Sequence, residues 1–297
     1  MISVSKYHGT GNDFIVVDAA IPVPDRRAFA IEHCDRETGI NHPDTESNGA
    51  DGVLFLALED QYSPPRVVMT LVQPDGSVAE MCGNGARCAA AWAARKTDAD
   101  ELMVDTQAGT RRAIIEDETV RVEMGHTTFL PDKVPLARES PLVEEDVEGL
   151  TVTAVNTGVP HAVAFVDDVN SVDLERVGPL VRNASVFPSG ANVTLASARS
   201  DRDTTPLDSD SDAVAVFDQR TFERGVEGET DSCGTGAVAI AAVADRQGFL
   251  PDEGPITVCP PGGDLEVSLS AGVATLSGPV VRECSTDLSV ADPRRIS

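Results

Sequence analysis

The sequence predicts an α+β fold of the α/β-roll kind, with two pseudo-symmetric domains, each a mixed or antiparallel sheet curled around a central helix. A cysteine followed by a Gly-x-Gly segment and an alanine-rich stretch occurs twice, at Cys82 and Cys233. These cysteines are 233 − 82 = 151 residues apart, about half of the 297-residue chain. A polar turn and a β-rich run precede each of them, which indicates a duplicated domain.

The segments before the two cysteines have the same order of features. Residues 8–18 place a polar turn before a valine- and isoleucine-rich strand, and residues 156–167 do the same. Residues 53–58 form a further strand-sized apolar run. We interpret each half as strand, turn, strand, more strands, and then the cysteine segment with its helix.

The repeat also predicts the central helices and the domain boundaries. The helices are expected at residues 88–96 and 238–247, and both are alanine-rich because a helix wrapped by a sheet needs small side chains. The first domain is expected to cover residues 1–126, joined by 279–297 as a returning terminal segment. The second domain is expected to cover residues 127–278.

Composition and charge limit the classes of partner. The chain has 41% hydrophobic residues, and its 49 acidic against 23 basic residues give a net charge of −26. This balance argues against a nucleic-acid partner and is typical of a surface adapted to a salty cytoplasm, where self-repulsion is screened. No apolar run is long enough to cross a bilayer, and the N-terminus has no basic-then-apolar signal. We therefore expect a soluble, cytoplasmic protein without a membrane partner.

The six cysteines do not form a recognisable metal or disulfide pattern. The sequence has no Cys-x-x-Cys, and the spacing of Cys82 and Cys88 fits no zinc site. We predict no metal and no structural disulfide. The glycine segments match neither a phosphate-binding loop nor a dinucleotide fingerprint. Four cysteines are expected to be structural thiols: Cys34, Cys88, Cys259 and Cys284.

The two cysteine segments favour reactive thiols. Glycines after each cysteine let the backbone approach a ligand, and the first amides of the following helix lack intrahelical acceptors. Such a helix start binds a carboxylate and lowers the pKa of a nearby thiol. Two thiols on opposite faces of a substrate carbon can remove a proton from one face and return it to the other. This arrangement indicates an epimerase or racemase.

Five runs together resemble the diaminopimelate epimerase family. They occur in the family's order and cover nearly the whole chain. The runs are His-Gly-Thr-Gly-Asn-Asp-Phe at 8–14, Asp-Gly-Ser-Val-Ala-Glu-Met-Cys-Gly-Asn-Gly-Ala-Arg-Cys at 75–88, Gly-Val-Pro-His at 158–161, Gly-Ala-Asn-Val at 190–193, and Phe-Glu-Arg-Gly at 222–225 with Cys-Gly-Thr-Gly-Ala at 233–237.

The resemblance implies a two-base epimerisation of LL-2,6-diaminopimelate to its meso isomer, without a cofactor, in lysine biosynthesis. It implies that Cys82 and Cys233 are the acid–base pair. The substrate, a small amino acid, would occupy the cleft between the two halves. Its α-carboxylate would meet the amides of Gly83-Asn84 and Gly234-Thr235.

The resemblance also assigns the other polar residues. Arg224 would bind the distal carboxylate, and Glu223 would lie near the reacting amine and take part in catalysis. His161 would lie close to a catalytic thiol and tune or orient it. Asn12 and Asn192 would add directional hydrogen bonds to the substrate.

Two departures from the family pattern leave an alternative open. Gln73 stands where the family usually has asparagine, and its amide is expected to bind the substrate from one methylene further away. Val159 replaces an asparagine that can donate a hydrogen bond. A proline or hydroxyproline racemase of the same fold is therefore an alternative, although the retained Asn12, Asn192 and Glu223-Arg224 pair argue against it.

Other classes of protein also stay open. A thiol redox or sensor protein would display two reactive cysteines but would not need two carboxylate-binding segments. A cysteine hydrolase built on Cys82 and His161 would leave the second copy unexplained. A non-catalytic binding module would survive loss of either sulfur. The sequence does not set the oligomeric state, and a homodimer is one option.

Overall fold

The computed structural model divides the chain into two compact units. The first runs from Met1 to Val122 and includes the segment that begins at Gly278, and the second is Glu123–Ser277. Residues 291–297, which belong to the predicted first domain, lie outside the described part of the chain. The structure describes residues 1–45, 47–117, 119–199 and 213–290.

Strands make up most of the regular structure. In chain order they are β1 (Ile2–Gly9), β2 (Asn12–Asp18), β3 (Gly52–Glu59), β4 (Arg66–Val72), β5 (Val78–Ala79), β6 (Glu101–Thr106), β7 (Gly109–Glu116), β8 (Thr119–His126), β9 (Glu145–Val147), β10 (Leu150–Asn156), β11 (Pro160–Phe165), β12 (Asn192–Ala198), β13 (Ala215–Glu223), β14 (Gly228–Thr230), β15 (Ile256–Cys259), β16 (Leu265–Ser270), β17 (Val273–Pro279) and β18 (Val281–Leu288). The α-helices are α1 (Arg26–Cys34), α2 (Gly83–Thr97), α3 (Leu174–Arg182) and α4 (Gly234–Gln247).

The two units repeat one order of strand pairing. In the first unit β1–β2 is antiparallel, β2–β3 parallel, β3–β4 antiparallel, β4–β6 parallel and β6–β7 antiparallel. In the second unit the pairs β10–β11, β11–β12, β12–β13, β13–β15 and β15–β16 follow the same alternation. The predicted α+β fold with a duplicated unit is therefore confirmed.

Each sheet curls around one alanine-rich helix. In the first unit α2 packs on β1 to β4, β6 and β7, and in the second unit α4 packs on β10 to β13, β15 and β16. A helix surrounded by strands on most sides has no room for long side chains. The buried alanines that meet this requirement are Ala86, Ala89, Ala90 and Ala93 in α2, and Ala237, Ala239, Ala241, Ala242 and Ala244 in α4.

The opposite face of each sheet is covered by a shorter helix. Phe29 of α1 packs with Ile15 and Phe55 of the first sheet. Leu54, the residue before Phe55, is on the other face of β3, where it lies against Gly85 of α2. Because both faces are covered, residues 14–17 of β2 and 53–58 of β3 are continuously apolar instead of alternating. In the second unit α3 takes the equivalent place, with Leu174 in the same core cluster as strand residues.

The central helices begin earlier than the sequence predicts. They start at Gly83 and Gly234, not at residues 88 and 238, so the Gly-x-Gly segments form the first helical turn. Glycine has a low intrinsic helix propensity, which made these residues resemble a turn. Here Cys82 and Cys233 have extended backbones and occupy the N-cap positions. The described residues include no helix with the length and apolar character needed to span a bilayer.

The tight wrapping of α4 predicts the effect of a larger side chain. We expect Ala239→Leu, at a fully buried position, to lower the free energy of unfolding by about 1–3 kcal/mol through overpacking. Ala28→Leu on the exposed side of α1 is the matched control and is expected to change little. Urea-induced unfolding measures both variants, and equal stability of the two would contradict the packing argument.

Candidate active site

Cys82 caps the first central helix with its own sulfur. The Gly85 backbone N–H donates to Cys82 Sγ, with 3.4 Å between N and Sγ, and the thiol is half-buried. The positive end of the helix dipole and an amide donor both favour a thiolate over a thiol at this position. The predicted location of Cys82 at an anion-stabilising helix start thus has a geometric basis.

A chain of side-chain hydrogen bonds runs behind Cys82. Arg87 Nη2 donates to Asn84 Oδ1 at 2.6 Å, and Asn84 Nδ2 donates to Asn12 Oδ1 at 2.6 Å. Asn12 Nδ2 then donates to Asp51 Oδ2 at 3.1 Å. A guanidinium only donates and a carboxylate only accepts, so the two ends of the chain fix the orientation of both amides. Asn12 and Asn84, both predicted to bind substrate, therefore lie together in fixed orientations.

A buried ionic cluster supports this chain. Lys6 is fully buried, and its Nζ lies 2.6 Å from Asp13 Oδ2. Arg36 reaches both Asp13, at 2.9 Å, and Asp51, at 2.6 Å. Burial alone would raise the pKa of Asp13, but hydrogen bonds from Arg36 and Lys6 lower it below its usual value. The start of β2, which carries Asn12, is thus anchored by compensated charges.

Gln73 belongs to a separate part of the first unit. It lies in the turn between β4 and β5, where its Oε1 accepts from Ser77 Oγ at 2.9 Å. The backbone N–H groups of Gln73 and Gly76 close the same turn. The side chain is therefore tied to its own turn, and its contact with substrate stays a prediction.

Cys233 is more enclosed than Cys82. It occupies the N-cap position of α4 without a side-chain hydrogen bond to the helix amides, and it is buried, with Sγ 3.5 Å from Thr235 Oγ1. Gln219 Nε2 donates to the backbone carbonyl of Cys233 at 3.0 Å. A Cβ at Gly236 would lie 2.5 Å from that same Nε2, so glycine is required for the close approach. The second Gly-x-Gly segment thus lets a strand side chain hold the cysteine backbone.

His161 reaches Cys233 through a hydroxyl. The imidazole is fully buried, with Nδ1 3.0 Å from Thr194 Oγ1 and Nε2 3.0 Å from Thr235 Oγ1. Burial, with a contribution from Arg224, lowers the pKa of His161 to about 3, so the ring is neutral near pH 7. Each ring nitrogen faces a hydroxyl, which can donate or accept. The neutral ring can therefore position Thr235 beside the thiol but cannot act as a cation there.

Three further predicted site residues, Asn192, Glu223 and Arg224, also come together in the second unit. Asn192 begins β12 and pairs in register with His161. Its Oδ1 accepts from the Arg224 backbone N–H at 2.8 Å, while its Nδ2 lies 3.4 Å from His161 Nε2. Glu223 Oε1 accepts from Thr230 Oγ1 at 2.6 Å. Arg224 Nη1 donates to the Ser189 carbonyl at 3.2 Å, and its side chain is only partly buried.

The sequence prediction missed the buried ionic cluster of the first unit and four further residues of this polar framework. The four share one property. They occupy positions where the strand or helix pattern calls for an apolar side chain, and that mismatch is the signal that could have found them. Gln219 and Thr221 share the buried face of β13 with Phe217. Arg87 and Thr194 are fully buried in α2 and β12.

The other four cysteines have the properties of structural thiols. All four are buried and not in disulfides. Burial raises the pKa of Cys34, Cys88 and Cys259 to about 12 and also raises that of Cys284. Within the described ranges no cluster of histidine, cysteine or acidic residues is arranged to bind a metal ion.

The burial of neutral His161 predicts a specific pH dependence of stability. An unfolded histidine takes up a proton below its ordinary pKa of 6.5, whereas folded His161 does so only near pH 3. Unfolding is therefore coupled to proton uptake in this window, and stability falls as the pH drops. Between pH 7 and pH 5 this loss amounts to about 2 kcal/mol.

In the His161→Gln variant this loss is absent. The difference in free energy of unfolding between the parent protein and the variant should therefore shrink by about 2 kcal/mol as the pH falls from 7 to 5. Denaturant unfolding at several pH values measures the difference, with the exposed His126→Gln as control. A deficit that stays constant with pH would show that His161 titrates normally.

The chain matches a family model and curated relatives over most of its length. The model described as "Diaminopimelate epimerase" matches residues 4–130 and 153–282. The diaminopimelate epimerase of Methanocella arvoryzae is 44% identical over 288 residues, covering 94% of this chain and 93% of the relative. That of Methanothrix thermoacetophila is 38% identical, with 94% and 93% coverage.

Solved structures of other enzymes share the fold at low sequence identity. A hydroxyproline epimerase from Agrobacterium vitis superposes with a TM-score of 0.63 at 17% identity, covering 98% of this chain and 92% of that one. A PhzF-family phenazine biosynthesis protein from Bacillus anthracis gives a TM-score of 0.63 at 14% identity, with 97% and 99% coverage. These likenesses extend to the fold, whereas the family model and the curated relatives establish the kinship: the chain belongs to the diaminopimelate epimerase family.

Proposed function

We propose that this protein is an isomerase that interconverts LL-2,6-diaminopimelate and meso-2,6-diaminopimelate in lysine biosynthesis. The observation that carries the proposal is the pair of cysteines, one in each duplicated unit, that occupy the N-cap positions of the two central helices. Relatives with 34–44% identity are named diaminopimelate epimerases. The proposed reaction uses no cofactor, because thiols and backbone amides supply both the proton transfer and the charge stabilisation.

The two thiols act as base and acid in turn. One cysteine, as thiolate, removes the α-proton, and the other, as thiol, delivers a proton to the opposite face of the carbon. Negative charge spreads into the α-carboxylate during deprotonation. The amides of Gly83-Asn84 and Gly234-Thr235 are the donors proposed to stabilise it. Which cysteine acts as base depends on the direction of the reaction.

Thr235 suits a sulfur that alternates between two protonation states. Its hydroxyl lies between His161 Nε2, at 3.0 Å, and Cys233 Sγ, at 3.5 Å. A hydroxyl can donate to a thiolate and accept from a thiol. We assign His161 a positioning role, in which the neutral ring holds Thr235 in reach of Cys233 in both states.

The distal end of the substrate requires a receptor for a second carboxylate. The half-exposed guanidinium of Arg224 is proposed to bind it, and Asn192, which accepts from the Arg224 backbone N–H, is proposed to add a directional hydrogen bond. Glu223 is proposed to lie near the reacting amine and to take part in catalysis. Val159 supplies no hydrogen bond, so the backbone-anchored Asn192 and Arg224 carry the distal recognition. This set favours diaminopimelate over proline, whose single carboxylate would leave Arg224 unused.

The surroundings of the enzyme follow from the same chemistry. Reactive thiols need a reducing environment, which supports a cytoplasmic location. The net charge of −26 supports adaptation to concentrated salt, because screening relieves self-repulsion. Enzyme activity is therefore tested in the presence of reductant, at both low and several-molar potassium chloride.

The substrate assignment is tested by exchange of the α-hydrogen in deuterated water, followed by NMR. We expect exchange and meso product with LL-diaminopimelate, and none with L-proline or L-lysine. Exchange with L-proline alone would instead indicate a proline racemase of the same fold. No exchange with any of the three would contradict the epimerase proposal and favour a thiol sensor or binding protein.

Removing either reactive sulfur tests the two-base mechanism. We expect Cys82→Ala and Cys233→Ala each to lower turnover by at least about a thousandfold, because each proton transfer then lacks its acid or base. Cys284→Ala removes a structural thiol and is the matched control, with turnover expected close to that of the parent. Near-normal epimerisation by either single variant would rule out a two-thiol reaction.

Arg224→Gln tests the distal receptor. Losing a hydrogen bond to a charged group costs about 1.5–3 kcal/mol, so KM for diaminopimelate is expected to rise about 10- to 100-fold with a smaller change in kcat. Arg176→Gln removes an exposed arginine of α3 in the same unit and serves as control. An unchanged KM in Arg224→Gln would remove this residue from the binding site.

A further inference from the structure

The side-chain amide of Asn192 is held in one orientation. The backbone N–H of Arg224 donates to Asn192 Oδ1, with 2.8 Å between N and Oδ1. A backbone N–H can only donate, so the atom that it meets must be the amide oxygen. The amide nitrogen, Nδ2, therefore faces His161 Nε2 at 3.4 Å. Asn192 and His161 are both buried, so these contacts take the place of hydrogen bonds to water.

This amide determines which nitrogen of His161 carries the proton. Burial and, to a lesser degree, the charge of Arg224 lower the pKa of His161 to about 3, so the ring has a single proton near pH 7. An amide nitrogen only donates, and Nε2 can accept from it only when Nε2 is unprotonated. The proton then lies on Nδ1, which donates to Thr194 Oγ1 at 3.0 Å. This form of the neutral ring is the Nδ1–H tautomer.

The surroundings of Nδ1 are compatible with this tautomer. Gln219 Nε2 donates to Thr221 Oγ1 at 3.0 Å, and the Thr221 hydroxyl donates to Thr194 Oγ1 at 3.4 Å. A hydroxyl oxygen has two lone pairs, so Thr194 can accept from Thr221 and from His161 together. Because the Thr194 hydroxyl can also donate, this side of the ring alone would permit either tautomer. The choice is therefore made at Nε2, by Asn192.

We propose that Asn192 is a positioning residue that fixes His161 as the Nδ1–H tautomer, so that only the Thr235 hydroxyl turns when Cys233 changes its protonation state. That hydroxyl, 3.0 Å from Nε2, is the second donor available to the ring. Asn192 Nδ2 has two hydrogens, so it can serve both the ring and the proposed substrate contact. The catalytic meaning of this arrangement rests on the proposed function, whereas the tautomer is a property of the free protein.

The turning hydroxyl leaves the ring proton in place. When Cys233 is a thiol, its S–H donates to Thr235 Oγ1, at an Sγ–Oγ1 distance of 3.5 Å, and the Thr235 hydroxyl donates to Nε2. When the thiol protonates the substrate carbon, the S–H bond breaks, a C–H bond forms and the electron pair of the S–H bond stays on sulfur. The hydroxyl then turns from Nε2 to the thiolate, while Asn192 still donates to Nε2. The reverse proton transfer restores the first arrangement.

Nitrogen-15 NMR of protein labelled at histidine tests the tautomer without any substrate. Long-range proton–nitrogen correlations distinguish a protonated from an unprotonated ring nitrogen. The signals that are lost in His161→Gln identify His161 among the five histidines. We expect Nδ1 to be protonated and Nε2 unprotonated. This pattern should persist across the range in which cysteines titrate, about pH 7 to 10, because only the hydroxyl turns.

Variants separate the effect of Asn192 from that of Thr235. Asn192→Leu removes the amide donor, so the ratio of the Nδ1–H to the Nε2–H tautomer should fall about fivefold through loss of one hydrogen bond. Thr235→Val keeps that donor, so the tautomer should stay while kcat for diaminopimelate falls about tenfold. Thr235→Ser restores the hydroxyl and should restore most of kcat. Asn170→Leu replaces an exposed asparagine of the same unit and is the control for both measurements.

Three results would overturn the proposal. The first is a parent protein in which His161 Nε2 carries a proton, a measurement that needs no variant to fold. The second is a folded Asn192→Leu with the tautomer ratio of the parent. The third is a Thr235→Val protein with a changed tautomer or an unchanged kcat. An Nδ1–H ring without α-hydrogen exchange would contradict only the proposed function, and normal exchange with an Nε2–H ring would contradict only this inference.

Discussion

A cysteine at the N-cap of a helix enclosed by its own sheet is the constraint on which the rest of each unit depends. The helix start provides amide donors and a positive dipole end, but only if its first turn is free of bulky side chains. Glycine at the first and third helical positions satisfies that condition, and alanine further along lets the strands close around the helix. Small residues therefore have two effects here. Alanines let the sheet close around the helix, and glycines leave the first helix amides open to an anion.

Behind each helix start lies a layer of buried polar side chains that fixes its geometry. In the first unit the second helical residue, Asn84, bonds to Asn12 at the start of β2. In the second unit the second helical residue, Thr235, bonds to His161 near the start of β11. The two layers use different side chains at comparable places. Hydrogen bonds of this kind hold the helix start in a fixed position. Proton transfer over a short distance requires such fixed positions.

Features that repeat along the chain can be predicted from the sequence, whereas features that depend on tertiary packing cannot. The spacing of Cys82 and Cys233 and the matching strand runs are local patterns, and they predict the duplicated α+β unit. The start of the helices at Gly83 and Gly234 was predicted too late, because glycine propensity is outweighed by capping and enclosure. Arg87 and Gln219 could not be assigned roles from sequence, since their partners lie far along the chain and burial is a property of the tertiary fold.

Duplication followed by divergence gives the two helix starts the same backbone and different chemistry. A two-base reaction requires opposite protonation states at any instant: one sulfur must hold a proton while the other does not. Two identical surroundings would favour the same protonation state in both copies. The two surroundings differ in this chain: the fifth residue after Cys82 is Arg87, and the fifth residue after Cys233 is the apolar Val238. Different buried side chains behind two similar helix starts are therefore what the proposed reaction requires.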